Sequence, residues 1–356
     1  FGFVGGGFTT SYGHRTHLNN LLLVMETDEG LIGYGEICRK SGNTLEPIAS
    51  AFTSRIIGLL GAAIGADPLN LAEARHRLGP LPSDITNLGA AFETACLDLA
   101  ARVADVPLWK LLGGRFEESV PIYRSISQGP SAAMADETRD EQIKGCRVIQ
   151  MKVAGEADPE KDQARIQAIL DLLEPDSCLL VDANGGWDVD KAVAAMACFT
   201  DNRIFWEEPC RTYTENRECA ELSGAMIILD QCLTGPDVSA LACAEGAVAG
   251  LGVKCTVQGG VERARLTRDL AIAHNLKIKV DDSWSADVAS AASLHLAMAV
   301  PPENLLGTID MRDYFDTRLS ESGPVVDGYR FKPGPGSGLG FDPDLAGLGP
   351  PIAIPA

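Results

Sequence analysis

The feature that most constrains this chain is a repeat of pattern rather than of residues. From Val120 onward, short apolar runs alternate with amphipathic stretches of helical spacing: 120–126, 147–153, 178–182, 204–207, 226–230, 251–254, 277–281 and 305–309. Neighbouring parallel strands need a crossover each time, usually a helix, so eight such units in succession predict a parallel α/β barrel of the TIM type. A charged residue closes nearly every run: Lys152, Asp182, Glu207, Asp230, Lys254, Asp282 and Asp310, at steps of 23 to 30 residues. In such a barrel the C-terminal strand ends converge on one mouth, where the active site is built. Any one of the carboxylates among them reads equally well as a helix N-cap. Seven at regular steps, two of them lysines that do not N-cap, point instead to a shared site.

The part before the barrel has another texture. Residues 20–27 form a strand-like run, Asp28-Glu29-Gly30 supplies a turn, and 31–36 (LIGYGE) returns as the second strand of a hairpin. From Leu45 to Ala104 the apolar spacing is helical, as at Phe92, Ala95, Cys96, Leu99 and Ala100. Strands followed by helices predict an α+β capping domain over 1–115, with the barrel over 116–312. The stretch 313–356, rich in glycine and proline between Ser320 and Gly340, is too short to fold alone and is expected to return and complete the capping domain.

Composition removes several classes of function. With 30 basic and 49 acidic side chains the net charge is −19, which repels phosphate backbones and anionic lipid, so nucleic-acid and membrane partners are not expected. The longest apolar stretch, 56–66, is 11 residues with three glycines, against the ~20 a membrane-spanning helix needs. Ten cysteines are scattered between Cys38 and Cys255 without a CxxC, a pattern of reduced, mostly buried thiols and a cytoplasmic address. The chain begins at Phe1 rather than methionine, which fits an absent first segment. A homo-oligomer is expected, of an order the sequence does not specify.

Asp182, Glu207 and Asp230 end three consecutive runs and so become neighbours around the mouth. Three carboxylates without soft ligands describe a hard divalent site, best suited to magnesium. Spacing alone leaves Glu207 and Glu208 open, since alternation along a strand turns only one of them inward. Lys152 precedes this triad and Lys254 follows it, so a metal-bound substrate would sit between two amines. An ion on a substrate carboxylate acidifies its α-proton by stabilising the enediolate, and a lysine whose pKa is depressed by surrounding positive charge can remove that proton. Return of the proton on the other face gives an epimer; loss of a β-leaving group gives a dehydrated acid. Asp282, Asp310 and Trp284 lie across from the metal side, a combination suited to a cationic nitrogen and hence to an amino acid or betaine.

At this point the residues resemble a family. The hairpin ending Gly35-Glu36, then VPLWKLLGG (106–114), QMKVAG, VDANGGW, FWEEP, ILDQ, VKCTVQGG and DDSW, follow the order seen in the mandelate racemase and muconate lactonizing enzymes of the enolase superfamily, over nearly the whole length. The resemblance implies magnesium on Asp182, Glu207 and Asp230, the first glutamate of the EEP motif being the ligand, and acid/base roles for Lys152 and Lys254. It also implies capping-domain loops that close over the mouth and select the substrate. Three departures stand out. The usual Lys-x-Lys is Gln150-Met151-Lys152, with Gln150 placed to touch substrate as in relatives acting on proline-like amino acids or their betaines. The usual Asp-Glu is Asp230-Gln231. An Asp-x-Trp-Gly-Gly-Asp loop becomes Asp282-Ser283-Trp284-Ser285-Ala286-Asp287. Together with YRSISQ (123–128), this is similar to the branch of cis-3-hydroxyproline dehydratase and hydroxyproline betaine epimerase.

Weaker signals read as structure. His14 and His17 lack a third ligand and fit a substrate-covering loop better than a metal pair. His295 falls in an alanine-rich helix as a satisfied core residue, Trp187 after a strand end reads as packing, and Cys255 alternates away from the mouth. Two other reactions remain open on the same barrel. An acid-sugar dehydratase would ordinarily want a His–Asp dyad at the mouth, and a metal-free lyase would use Lys254 as a Schiff base.

Overall fold

The computed structural model describes residues 1–38, 50–82, 84–85, 87–156, 159–348 and 351–352. Eight parallel strands lie side by side in chain order: β1 (Arg124–Ile126), β2 (Val148–Lys152), β3 (Cys178–Asp182), β4 (Ile204–Glu207), β5 (Ile227–Leu229), β6 (Gly250–Lys254), β7 (Lys277–Asp281) and β8 (Leu305–Thr308). The sheet curls shut through a parallel bridge between Ile122 and Thr308, where the Tyr123 amide donates to the Thr308 carbonyl at 2.9 Å. Helices connect successive strands, and local sequence sets their ends. Thr212 and Glu215 form a reciprocal capping box at the start of Tyr213–Ser223, and Gly224 closes that helix in the left-handed region at φ 69°. Met151, Leu179, Val181, Leu229, Val253 and Val280 are completely or almost completely buried, as expected where helices and side-chain layers cover both faces of a parallel sheet.

The first barrel strand is shorter than the apolar run 120–126 suggests. Val120–Pro121 leaves the barrel and pairs with Arg330–Lys332, which in turn pairs with Val325–Asp327, in a three-stranded antiparallel sheet. The C-terminal stretch thereby packs under the barrel before returning to the capping helices. There Gly338 exchanges backbone hydrogen bonds with Val106 and Leu108, and the Leu339 amide donates to Asp98.

In the capping domain, Leu21–Glu26 and Ile32–Ile37 form the expected hairpin, against which helix Asn87–Val103 packs; helices Ser50–Ala62 and Leu71–Leu78 complete the layer. The glycines of LIGYGE allow that packing. A Cβ on Gly35 would fall 1.9 Å from the Ala91 carbonyl oxygen, and one on Gly33 2.4 Å from that of Ala95. Leu45, where the helical spacing begins in the sequence, lies outside the described residues. A second, short hairpin, Phe8–Thr10 with Gly13–Arg15, packs over the barrel mouth. All ten cysteines are unbridged, and seven of them are buried. Among the described residues no helix is long and apolar enough to cross a membrane.

Candidate active site

Between the short hairpin and the C-terminal strand ends lies a cavity of about 380 Å³. Phe8, Thr10, Tyr12 and Arg15 line it from the hairpin. Tyr123, Ser125, Gln150, Lys152, Asn184, Gln231, Lys254, Asp281, Asp282, Ser283 and Trp284 line it from the barrel, with Ile309, Met311 and Tyr314 beyond β8.

Strand register explains the charged floor. Lys152 on β2 pairs in register with Asp182 on β3, which pairs with Glu207 on β4. The Lys152 ammonium donates to Asp182 Oδ2, while the Asn184 backbone amide and side chain donate to the same carboxylate at 2.8 and 2.9 Å. Glu207 points inward. Its Oε2 accepts from Gln150 Nε2 at 2.6 Å and its Oε1 accepts from Lys279; Gln150 Oε1 in turn accepts from Ser125 at 2.5 Å. Glu208 turns away, its oxygens accepting the backbone amides of Asp230 and Cys232 at 2.6 and 2.7 Å. Alternation thus resolves the choice left open by spacing: Glu207, not Glu208, faces the barrel interior. Across the barrel, Lys254 on β6 sits 2.7 Å from the Asp230 carboxylate and 3.7 Å from Asp281.

These groups are buried and shift one another. Burial, with repulsion from Asp182 and Asp230, raises Glu207 to about 7 against the pull of Lys279. Burial would also raise Asp230, but Lys254, Lys279 and Lys152 outweigh it and hold the carboxyl below its ordinary value. Lys254 is pushed the other way: burial lowers it, but Asp230 and Asp281 more than compensate, so its pKa lies above the ordinary lysine value. Burial and the nearby Asp230 push Glu208 up to about 8.

Two residues of this network were not singled out in the sequence. Lys279, completely buried on β7, bridges Glu207 and Asp281. Asp281 also accepts a hydrogen bond from the Tyr123 hydroxyl and faces the cavity. The signal was present in KIKVD, whose alternation turns residues 279 and 281 to the same side.

Two of the residues expected against a substrate nitrogen stand differently. β7 spans Lys277–Asp281 as expected, and Asp282 is the first residue beyond it. Asp282 does line the cavity, but its Oδ1 accepts from the Thr256 hydroxyl and from Ser283 N at 2.8 Å; burial, partly offset by these donors, raises it to about 6. Asp310, expected at the mouth, does not line this cavity: its two oxygens accept from Arg312 Nε and Nη2 at 2.7 Å each, and it caps the turn Met311–Tyr314. A carboxylate held at both oxygens by a guanidinium has little left to offer a ligand.

Trp284 faces the cavity in a left-handed backbone conformation (φ 54°), with Phe3 and Phe8 edge-on against its ring at 5.1 and 5.3 Å. This strained position directly precedes Ser285 and Ala286, which stand where the resembled Asp-x-Trp-Gly-Gly-Asp loop has its two glycines. Trp187 packs against Trp206 instead, away from the cavity. His14 bonds Thr9 and Gly6 and His17 bonds Thr16, so the covering hairpin presents Tyr12 and Arg15 rather than its histidines. His295 is buried between the Trp109 amide and the Leu339 carbonyl, and burial lowers it to about 4.

Among the described residues, no three His, Cys, Asp or Glu side chains already stand as a ready metal cluster. In kind, however, the donors fit a hard divalent cation: Asp182, Glu207 and Asp230 are buried carboxylates at the ends of neighbouring strands, and among the described residues no thiol or imidazole lines the cavity. Their charge is balanced by Lys152, Lys254 and Lys279, so an ion would compete with ammonium groups for the same oxygens.

Comparison with known proteins agrees with this architecture. Residues 7–113 match the family model described as mandelate racemase / muconate lactonizing enzyme, N-terminal domain, and residues 133–347 match that described as enolase C-terminal domain-like. The chain is 31% identical over 349 residues to a cis-3-hydroxy-L-proline dehydratase of Roseibium aggregatum, covering 98% of this chain and 95% of that one. It is 26% identical to an N-succinyl-L-Arg/Lys racemase of Bacillus cereus, covering 82% and 80%. A crystal structure of a mandelate racemase/muconate lactonizing enzyme from Roseovarius nubinhibens superimposes with a TM-score of 0.90 at 30% identity, covering 99% and 94% of the two chains. An enolase-superfamily member of the same organism, complexed with magnesium, superimposes at 0.88 with 29% identity, covering 99% and 95%. The chain belongs to the mandelate racemase/muconate lactonizing enzyme family of the enolase superfamily.

Proposed function

We propose that this lyase- or isomerase-type enzyme removes the α-proton of an amino-acid-like carboxylate, and that the product is a dehydrated or an epimerised proline-like acid. The observation that carries the reading is the pair of ammonium groups lining one cavity from strands four apart in an eight-stranded barrel, Lys152 on β2 and Lys254 on β6; the three strands between them in the sheet end at Asp182, at Glu207 and just before Asp230. An α-carbon held between the two lysines meets one on each face. One lysine, as the neutral amine, takes the proton; the other, as the ammonium, delivers a proton to the opposite face or to a departing β-hydroxyl.

Asp182, Glu207 and Asp230 would hold magnesium, which would supply positive charge to the substrate carboxylate and so acidify its α-proton. Gln150, bonded to Glu207 and Ser125, fixes the ligand carboxylate and presents its amide to the cavity. Asp281, Asp282 and the Trp284 ring provide the anionic and aromatic surface for a substrate nitrogen. The hydroxyproline dehydratase among the relatives supports a cyclic amino acid, and the racemases and epimerases support proton return. Among the described residues no histidine lines the cavity, which disfavours an acid-sugar dehydratase using a His–Asp dyad.

The test is mass spectrometry in deuterium oxide on prolines, hydroxyprolines, their betaines, ordinary amino acids and sugar acids. Magnesium-dependent α-deuterium uptake or loss of water is expected for a proline-like member. Full activity in the presence of a chelator would overturn the metal role and favour a Schiff base on Lys254.

A further inference from the structure

Among the described residues three cationic side chains line the cavity. Lys152 is engaged by Asp182, and Lys254 by Asp230 with Asp281 nearby. Arg15 differs from both. It closes the mouth from the N-terminal hairpin, half-buried, with its guanidinium carbon 5.9 Å from the centroid of the Trp284 ring. Among the described residues no carboxylate pairs with it, and its Nη1 is shielded from solvent with no hydrogen-bond partner. Burial lowers its pKa, but a guanidinium remains charged at any physiological pH. A buried, unsatisfied N–H on a charged group is costly, and a ligand anion would remove that cost.

The position of Arg15 says which anion. The carboxylates of β3 to β5 lie to one side of the Lys152–Lys254 pair, and Trp284, which follows β7, lies to the other. A substrate with its reacting carboxylate toward β3 to β5 therefore extends toward Trp284 and the hairpin above it. We propose that Arg15 binds a second, distal anionic group, and that the substrate is an amino acid bearing an additional carboxylate. The orientation rests on the α-proton reading above. The planar guanidinium can hold a carboxylate through two parallel hydrogen bonds, whereas a neutral amide in its place offers a single uncharged acceptor. Phe3 and Phe8 fix the Trp284 ring beside it, so the site is largely preformed.

The experiment is calorimetric binding to the magnesium-loaded protein of matched pairs: pyrrolidine-2,4-dicarboxylate against its 4-carboxamide, and glutamate against glutamine. The intact protein should bind at least one dicarboxylate about tenfold more tightly than its amide, the equivalent of about 1.4 kcal/mol. In Arg15→Gln that ratio should fall to about one, and in Arg15→Lys part of it should return. A ratio at or below one for both pairs in the intact protein, or a ratio that survives Arg15→Gln, overturns the proposal. Deuterium exchange on the same panel separates the two readings. Exchange without a dicarboxylate preference in binding keeps the α-proton chemistry and removes the Arg15 subsite. An Arg15-dependent preference without any exchange keeps the subsite and removes the chemistry.

Discussion

At the scale of single residues, the site is a balance of buried charge. Lys279 is the most exposed to that balance in an energetic sense, because it is wholly enclosed and its ammonium serves both Glu207 and Asp281. Removing one partner of a buried ionic network typically costs about 3–5 kcal/mol, since the remaining charge is left uncompensated. Lys279→Met should therefore lower unfolding stability by that order in denaturant titrations. The loss should be larger at pH 8 than at pH 6, because Glu207, already raised to about 7, can escape the penalty only by taking up a proton. A loss below about 1 kcal/mol at pH 8 would mean that water or another cation replaces the lysine. Lys152, Asp182, Glu207, Asp230 and Lys254 were legible in the sequence because a parallel barrel aims every strand end at one mouth. Lys279 lies deeper in its strand and Asp281 one residue before the charge that was counted, so a reading of strand ends passed over both. Arg15 and Tyr12 were hidden for another reason: they reach the cavity only when the hairpin folds back over a barrel that begins more than a hundred residues later.

At the scale of elements, alternation and spacing found all eight barrel strands and the capping hairpin, since each is set by local pattern. The sheet joining Val120–Pro121 to the C-terminal stretch was not legible, because pairing across some two hundred residues leaves no local periodicity. The glycines of the capping hairpin show how a local pattern acquires a tertiary meaning. Alternating glycine in LIGYGE weakens a strand on its own terms, yet it lets the strand lie directly on helix Asn87–Val103. Gly35→Ala would set a methyl group 1.9 Å from a backbone carbonyl, and neither backbone can give without moving the whole strand or helix. Overpacking of this kind costs about 1–3 kcal/mol, occasionally more. Thermal unfolding of Gly35→Ala should reflect at least that loss, whereas Gly30→Ala would meet no atom within 4 Å and pay only for its positive φ. Equal losses in the two variants would show that backbone conformation, not close approach, governs this hairpin.

At the scale of the whole molecule, the cavity exists only where the capping domain meets the barrel, and Glu36 is a principal link between them. It ends the capping hairpin, is almost fully buried, and accepts from the backbone amides of Ala286 and Ala289 at the start of helix Asp287–Ala297, at 2.7 and 3.0 Å. Asn20 donates to Glu36 at 2.7 Å and to the Trp284 carbonyl at 2.9 Å, so the same junction positions an aromatic wall of the cavity. Burial dominates the carboxyl and raises it from 4.5 to about 7, although the three donors pull it down. A folded-state pKa above the unfolded one means that the native protein binds the extra proton between those values. The stabilisation is thus fully present below about pH 4.5 and is lost as pH rises through about 7. Glu36→Gln keeps an acceptor and a donor in the same volume and removes the titration. The stability difference between the native protein and Glu36→Gln, measured as denaturant midpoints, should fall as pH rises from 5 to 8, and a difference independent of pH across that window would remove Glu36 as the titrating link. Because Asn20 joins Glu36 to Trp284, ligand affinity at the cavity should weaken over the same range in the native protein and change less in the glutamine variant.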